Sequence, residues 1–312
     1  MKILAKLVSG LLIWLIVTSI LLAIILLPRN VTYERVGYDD VATYKFTWEA
    51  YQESITTYSK EVWDNKSFGT SKVGSPVEEE VYHYMKRTIV IIFPALIISL
   101  LLGILKGVFD YKNVNSRKNI IGNGTTWLMQ SVPEYFIIIT VQLGLLSLMS
   151  KGFPQLDIYG YDKWYNTLLP ILFLSVYPIS YIARITSSAL SEQEGKDYIR
   201  TAIAKGTSSK KILYIHVLKN CYPTILSQFL TIMITLISSS IVVEYLTFYR
   251  GAGTRLIEAL DIKTIYNITD NFPLEVPTIV GFTIGFMILI LCSLWIHQLL
   301  NYILIPAKRG EE

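Results

Sequence analysis

Residues 197–206 have the sequence Asp-Tyr-Ile-Arg-Thr-Ala-Ile-Ala-Lys-Gly and lie in a polar, basic segment between two long apolar runs. Their pattern favours a helix that ends at Gly206, because glycine adopts the left-handed backbone of a helix C-terminus at little cost. Ser208 or Ser209 is placed to cap a second helix, which is expected to reach about Asn220. The 184–222 loop is therefore predicted to be a helix, a glycine break and a second helix, preceded by a capping-box pattern at 191–194.

The chain around this loop has the composition of a membrane protein. Of its 312 residues, 52% are hydrophobic and only 17% are charged, whereas soluble domains carry about 25% charged residues. A membrane-spanning helix needs about 20 mostly apolar residues. The predicted fold class is an all-α polytopic membrane protein with about six transmembrane helices. The candidate spans are Leu7–Leu27, Thr88–Phe109, Trp127–Met149, Leu168–Ala189, Pro223–Val243 and Val276–Leu300.

The distribution of Lys and Arg predicts the orientation, because cytoplasmic loops are enriched in both. If the N-terminus is cytoplasmic, the basic residues fall on the inner side, and the acid-rich Glu78–Glu80 falls outside. Both termini are therefore expected to be cytoplasmic. The inner basic residues are Lys112, Arg117, Lys118, Arg184, Lys196, Arg200, Lys205, Lys210, Lys211, Lys219, Lys308 and Arg309.

The chain then divides into a first transmembrane helix (1–28), an extracytoplasmic outer segment (29–87) and a core with five spans (88–312). Within the outer segment, apolar residues from Trp48 to Val62 recur at spacings of three and four, which predicts an amphipathic helix. Ser75–Glu78 has the pattern of a capping box at the start of a helix that continues into the second span. A disordered polar loop is the alternative.

Several kinds of site are not suggested by the sequence. Cys221 and Cys292 lie in a basic loop and an apolar run, and the three histidines have no metal-ligand spacing. The phosphate-binding loop Gly-x-x-x-x-Gly-Lys-Ser/Thr does not occur. No cofactor is therefore expected in this chain, and any energy from ATP has to come from a partner.

Small and basic residues surround the predicted glycine break. Small side chains allow another protein surface to approach the backbone closely, and basic ones can pair with acids on that surface. The loop is thus suited to docking, although a basic loop that only satisfies the charge rule is the alternative. The small residues are Thr201, Ala202, Ala204 and Gly206, and the basic ones are Arg200 and Lys205.

Three other residues or motifs lie within the predicted spans. Glu134 is expected about two turns into the third span, where an acid is a functional candidate by default and could face a translocation path. The alternative is an acid at the membrane interface that pairs with a neighbouring helix. Lys106 is expected to extend to the membrane surface. Gly281-x-x-x-Gly285 is a possible helix-packing notch.

The stretch 197–206, continued by His216-Val217-Leu218-Lys219-Asn220, closely resembles the coupling motif of ABC importer permeases. The general motif is Glu-Ala-Ala, three residues, Gly, nine residues and Ile-x-Leu-Pro. Ala202, Gly206 and Leu218 match it. Arg200, Thr201, His216 and Lys219 depart from it in the manner of the B-type permeases of the oligopeptide, dipeptide and nickel family.

Softer matches to the same family extend over most of the chain. They comprise the outer segment at 67–77, the start of the third span at 131–136, the end of the fourth at 181–184 and the region after the fifth at 243–256. Two regions depart from the family. The usual Leu-Pro-Gly-Asp-Pro is only Leu27-Pro28-Arg29-Asn30, and the C-terminal Leu-Asp-Pro-Arg region lacks its Asp at Asn301–Pro306.

The resemblance implies a type I ABC importer permease fold in the bacterial plasma membrane. It also implies four partner subunits besides the lipid bilayer: a second homologous permease, two cytoplasmic ABC ATPases that bind ATP, and an extracytoplasmic substrate-binding protein. On this view Arg200, Thr201, Ala202, Ala204, Lys205, Gly206 and His216 form the ATPase-coupling site, and Glu134 belongs to the translocation path. An ion-gradient-driven secondary transporter and an intramembrane enzyme are the rivals, and neither nucleic acid binding nor catalysis is expected.

Overall fold

A computed structural model describes residues 2–28, 31–36, 39–153, 159–161, 163–260 and 274–304. Within these residues, five helices are long and apolar enough to cross a membrane, and one sharply bent helix pair could make a sixth span. The predicted all-α architecture is therefore confirmed. The expectations for Arg29, Asn30, Ile305, Pro306, Lys308 and Arg309 fall outside the described residues.

Twelve α-helices and one hairpin lie in the described part of the chain. The helices are α1 (Lys2–Ile25), α2 (Trp48–Asn65), α3 (Val77–Lys112), α4 (Thr125–Ser131), α5 (Glu134–Ser150), α6 (Leu168–Ser191), α7 (Asp197–Ala204), α8 (Ser209–Lys211), α9 (Leu218–Leu226), α10 (Phe229–Leu246), α11 (Ala252–Ala259) and α12 (Val276–Leu304). The antiparallel hairpin pairs β1 (Val31–Val36) with β2 (Asp39–Tyr44). Short 3₁₀ turns lie at Arg117–Asn119 and Trp164–Thr167, and π turns at Ile120–Gly124 and Ile212–Val217.

The third predicted span is not one straight helix. The chain from Arg117 to Ser131 and the helix α5 meet at an angle of 103°. The break falls at Val132, whose ψ of 127° is extended, because the ring of Pro133 disfavours the helical conformation of the residue before it. Glu134 is consequently the first residue of α5, and its predicted position two turns into a continuous span is wrong.

The fifth predicted span is also interrupted. Helix α9 ends at Leu226, and α10 begins at Phe229 after two residues that leave the regular helix. The expected single helix from Pro223 to Val243 is therefore wrong in its first six residues. The membrane-spanning candidate in this region is α10 alone.

The chain forms two compact units, of which the first contains the described parts of Met1–Leu7, Val90–Tyr249 and Cys292–Glu312. Helix α6 is central to this unit and packs against α4, α9 and α10. The second half of α3 also approaches α6 closely. A Cβ added to Gly107 would lie 2.5 Å from Cβ of Thr186 and 2.6 Å from the carbonyl oxygen of Ala183, and one added to Gly103 would lie 2.7 Å from Cβ of Ile182.

These contacts make Gly103-x-x-x-Gly107 a helix-packing notch, which the sequence analysis did not single out. We expect Gly107→Ala to destabilise the protein by about 1–3 kcal/mol, because the added methyl group would force α3 and α6 apart. Gly144→Ala on α5 is the matched control, since nothing lies within 4 Å of its added Cβ. The thermal stability of the two purified variants measures the difference, and equal stability would contradict the notch.

Lys106 does not extend freely to the surface as predicted. Its Nζ lies 2.7 Å from Oδ1 of Asp110 and donates to the carbonyl oxygen of Gly122 at 2.9 Å. Asp110 is fully buried, and its second oxygen accepts a hydrogen bond of 2.5 Å from Thr126. The buried carboxylate is thus satisfied by a cation and a hydroxyl group, and the end of α3 is tied to the start of α4.

The second unit contains Val8–Ile89 and Arg250–Leu291 in their described parts. Helix α2 confirms the amphipathic helix predicted in the outer segment. Tyr51 and Ser54 of α2 donate hydrogen bonds to the carbonyl oxygens of Ala23 and Leu26 at 2.9 and 3.0 Å. These bonds satisfy carbonyl groups at the end of α1 that have no partner within that helix.

The predicted capping box before α3 does not form. The helix begins at Val77, and the carboxylate of Glu78 accepts hydrogen bonds from the backbone N–H of Phe68 and the hydroxyl of Ser67 at 2.5 and 3.1 Å. Tyr58 of α2 donates to the carbonyl oxygen of Phe68 at 3.0 Å. Burial, with the nearby charges of Glu78 and Glu61, raises the pKa of Tyr58 to about 12.

The glycines at 281 and 285 do form a notch, and it is filled from within the second unit. A Cβ on Gly281 would lie 2.5 Å from Val77, and one on Gly285 would lie 3.3 Å from Met85 and Val81. The first turns of α3 therefore occupy the notch of α12. This intramolecular packing accounts for the motif without a second copy of the chain.

A buried ion network holds the second unit together. Arg255 of α11 lies 3.0 Å from Glu80 and 2.7 Å from Glu275, and its side chain is only 7% exposed. Thr278 and the backbone N–H of Lys72 donate to Glu275 at 3.0 and 3.4 Å. Burial opposes the ionisation of Glu275, but Arg255 and these donors outweigh it and hold the pKa of Glu275 below its usual value.

Candidate coupling loop and helix break

The end of α7 has the geometry predicted for Gly206. The backbone φ of Gly206 is +73°, and its N–H donates to the carbonyl oxygen of Ile203 at 2.9 Å. The next N–H, of Thr207, donates to the carbonyl oxygen of Ala202 at 3.1 Å. This pair of bonds is a Schellman motif, in which the left-handed residue satisfies the last carbonyl groups of the helix.

The chain before α7 differs from the prediction. Ser191 is the last residue of α6, so the capping box expected at 191–194 is wrong. A turn follows in which the N–H groups of Gln193 and Glu194 donate to Leu190 and Ser191, and Gly195 has a φ of +77°. The loop thus contains two left-handed glycines, one before α7 and one after it.

The second helix of the loop is longer than predicted. Ser208 occupies the N-cap position with extended backbone angles, but its side chain makes no capping hydrogen bond. The chain continues through α8, the π turn Ile212–Val217 and α9 to Leu226, past the expected end at Asn220. A π turn contains one residue more than an α turn, and it often marks a functional site.

The structure places the predicted loop residues together on one exposed elbow. Helix α7 packs against the π turn, which carries His216. Five of the predicted residues are exposed on α7 or just after it: Arg200, Thr201, Ala204, Lys205 and Gly206. His216 is exposed as well, and Ala202 is half-buried.

Arg200 is free to meet a charged partner. Its guanidinium lies 3.7 Å from Asp197, and the two side chains are 74% and 97% exposed. Such an exposed pair contributes little to stability, so Arg200 is easily recruited elsewhere. Two apolar side chains that the sequence analysis passed over also face outward, Ile203 at 62% and Ile215 at 52% exposure. Their signal in the sequence is an apolar residue on an otherwise polar helix.

The elbow is anchored to the rest of its unit. Helix α9 packs against α6 and buries Leu218, Cys221 and Ile225. Burial and the nearby carboxylate of Glu192 raise the pKa of Cys221, so its thiol is an inert packing group. From α3, Lys112 donates to the hydroxyl of Tyr214 at 3.1 Å and lies 4.7 Å from the centre of its ring. The elbow is therefore held against both α3 and α6.

Glu134 lies apart from the elbow, at the break between α4 and α5. Its Oε2 accepts a hydrogen bond of 2.5 Å from the hydroxyl of Ser239 on α10. Its Oε1 is buried and has no hydrogen-bond partner among the residues that the structure describes. A small cavity beside it is lined by Met129, Val132, Glu134, Ile137, Ile138, Phe173, Val176 and Tyr177. The alternative prediction was that Glu134 pairs with a neighbouring helix. It is met at Oε2, which bonds to α10, but not at Oε1.

Residues 99–302 match the family model of the binding-protein-dependent transport system inner membrane component. This range includes the elbow, the break at Glu134 and most of α12. It covers about two thirds of the chain. A secondary transporter driven by an ion gradient is not supported by this match.

Curated relatives resemble the chain over much of its length. The dipeptide transport system permease protein DppB of Bacillus subtilis is 26% identical over 212 residues, which cover 68% of this chain and 64% of that protein. The oligopeptide transport system permease protein AppB of the same species is 24% identical over 77% of this chain and 75% of its own length. A chain of the MetNI methionine ABC transporter has a TM-score of 0.49 and 16% identity over 72% of this chain and 94% of that one.

The resemblance drawn from residues 197–220 is thus confirmed by a match that extends far beyond them. The apolar helices agree with a multi-pass protein of the cell membrane. Since the family model covers more than half of the sequence, this chain belongs to the family of binding-protein-dependent transport system inner membrane components, the permeases of ABC importers.

Proposed function

We propose that this chain forms, with a second homologous permease, the translocation path for peptides or a related small solute. Two cytoplasmic ABC ATPases bind ATP and dock on the inner loops, and an extracytoplasmic binding protein delivers the cargo. The observation that carries the proposal is the exposed elbow of α7, Gly206 and α8, whose sequence resembles the family's coupling motif. The peptide cargo is supported by the names of the similar permeases.

The elbow is suited to transmit movement from an ATPase. Its tip offers Ala204 and Gly206, whose small size admits a partner's backbone, beside the exposed apolar side chain of Ile203. Arg200 and Lys205 on the same short helix supply positive charge for acids on the partner. When ATP draws the two ATPases together, the elbow would follow, and α9 would pass the displacement to α6 against which it packs.

Copurification and transport test the proposal. The chain, extracted from membranes in mild detergent by an affinity tag, is expected to bring with it an ABC ATPase. A single cysteine placed at Ser208 is expected to react with an impermeant maleimide only in inside-out vesicles, because the elbow should face the cytoplasm. Absence of an ATPase from the complex, or labelling of the cysteine in intact cells, would remove the basis of the proposal.

The ion-gradient alternative makes a different prediction for the same preparation. A secondary transporter reconstituted alone would accumulate its solute when an ion gradient is applied and would not respond to ATP. The proposed permease would require its ATPase partners, ATP and the binding protein together. Uptake by the chain alone, driven by protons or sodium, would favour the rival.

A further inference from the structure

A polar stripe runs along one face of the spanning helix α6. Tyr177, Tyr181, Arg184 and Ser188 recur at spacings of four, three and four, which places them on one side of the helix. The two tyrosines are half-buried, and Arg184 and Ser188 are exposed. The opposite face of the helix carries buried side chains that pack within the unit, such as Ile171, Ile182, Thr186 and Leu190.

Three members of the stripe contact one another, and one of them bonds to the residue that precedes α10. The rings of Tyr177 and Tyr181 stack with their centres 6.5 Å apart and their planes 13° apart. The hydroxyl of Tyr181 donates to Oε1 of Gln228 at 2.9 Å, and the guanidinium of Arg184 lies 5.7 Å from the ring of Tyr181. Polar and charged groups on a spanning helix face a protein surface or a water-filled cavity, because exposing them to lipid is costly.

The stripe ends at the cavity beside Glu134. Tyr177 and Glu134 both line that cavity, so the carboxylate lies at the end of the stripe remote from the elbow. Glu134 has Ser239 as its hydrogen-bond partner, and Oε1 is buried without any. An unpaired carboxylate oxygen in a buried site is unfavourable unless a cation or a donor can approach it.

A purely structural role explains only part of this arrangement. Glu134 is the first residue of α5, where the helix dipole favours a negative charge. The dipole and Ser239 together account for the presence of an acid. They do not account for the free oxygen or for the row of polar side chains that leads to it.

We propose that Glu134 is a cation-binding station of the translocation path, which receives a positively charged group of the cargo beside Tyr177, at the end of the stripe remote from Arg184. The chemistry recognised is a positive charge with hydrogen-bond donors, as in the ammonium group of a peptide N-terminus or a basic side chain. This inference rests on the proposed function and adds to it the sign of the charge that the path selects.

Thiol reagents of opposite charge test the station without the cargo. In a chain with Cys221→Ala and Cys292→Ser, assembled with its partners, Tyr177→Cys is treated with the trimethylammonium-ethyl and the sulfonato-ethyl methanethiosulfonate. Each rate of modification is measured with Glu134 and with Glu134→Gln. The ratio of the cationic to the anionic rate is expected to fall on the order of tenfold in Glu134→Gln, because one nearby charge is lost.

Control variants separate the charge from its side effects. Glu134→Asp keeps the charge and should keep the high ratio, and Glu134→Ala replaces Glu134→Gln if the latter fails to assemble. Leu172→Cys, on the other side of α6 and 54% exposed, should react slowly with both reagents because it is expected to face lipid.

Two outcomes would overturn the inference. A cysteine at 177 that reacts with neither reagent would show that protein covers the stripe, and an unchanged ratio in Glu134→Gln would show that the carboxylate does not act on the path. Failure of the proposed function would be seen elsewhere, as the absence of ATP-dependent uptake by the wild-type assembly.

Discussion

Replacing Gly206 with aspartate is expected to leave the chain inserted in the membrane but to remove most transport and most binding of the ATPase. At a φ of +73°, a residue with a Cβ is strained by about 1 kcal/mol or more. No described part of the chain lies within 4 Å of the added Cβ, so the larger effect is expected at the surface of a partner. Ala202→Asp, at a half-buried position on the same helix, should act in the same way.

Gly195→Asp is the matched control for this experiment. Gly195 has nearly the same φ, +77°, and its added Cβ also meets nothing within 4 Å. The two variants therefore share the backbone strain and the added charge, and differ in their position relative to the tip of the elbow. Uptake and the ATPase recovered with the chain are measured at equal expression. Wild-type uptake by Gly206→Asp, or equal losses in both variants, would contradict the assignment of the tip as the coupling surface.

Arg255→Leu is expected to destabilise the second unit by about 3–5 kcal/mol, because it leaves two buried carboxylates without their cation. Glu80 and Glu275 are only 11% and 8% exposed in their side chains, so water can replace the guanidinium only in part. The expected readouts are a lower melting temperature of the detergent-purified chain and rapid proteolysis of the outer segment. Glu79→Gln is the control, because Glu79 is exposed and lines the adjoining cavity outside the network.

The same network predicts that lowering the pH changes the stability of the wild-type protein and of Arg255→Leu in opposite directions. The folded-state pKa of Glu275 is below its unfolded value, so its contribution to stability is present above about pH 4.3 and is lost as the pH falls through the folded-state pKa. In Arg255→Leu the carboxylates lack their cation, and protonation removes the free-energy cost of burying them in the charged form. The difference in melting temperature between wild type and Arg255→Leu should therefore shrink as the pH is lowered. A constant difference would show that the ion pairs are not its source.

Features encoded in a few adjacent residues were predictable from the sequence. The apolar period of α2 and the glycine that ends α7 both depend on local backbone and packing preferences, and both formed as expected. The capping boxes at 75–78 and 191–194 failed for a shared reason. The serine and the acid were present, but Glu78 found better donors at Ser67 and Phe68, and the apolar face of α6 carried that helix through Ser191.

Features that depend on a distant partner were not predictable. Proline occurs inside membrane helices without breaking them, and Pro94 and Pro178 remain within α3 and α6. Nothing local therefore distinguished Pro133, where the chain turns by 103°. Lys106 was expected at the surface, but its Nζ is also held by the carbonyl oxygen of Gly122, which lies outside the helix and 16 residues further along the chain.

The candidate site likewise combines features that adjacent residues encode with features that depend on distant parts of the chain. The elbow was predictable because its small and basic residues are contiguous in sequence. The environment of Glu134 was not, because it is built from α4, α6 and α10, and the tyrosines of the stripe resemble ordinary interfacial anchors until their common face is seen. Ile203 was missed because an apolar residue on a helix is usually assigned to a core.

The lengths of α3 and α10 set different limits on the surrounding lipid. With 36 residues at about 1.5 Å each, α3 is about 54 Å long, against a hydrocarbon thickness of about 30 Å. Its apolar part, Thr88–Phe109, is about 33 Å long and matches that thickness without strain. Helix α10 has 18 residues and reaches only about 27 Å. Hydrophobic mismatch therefore falls on α10, and the local thinning of lipid around it makes the behaviour of this permease sensitive to acyl-chain length.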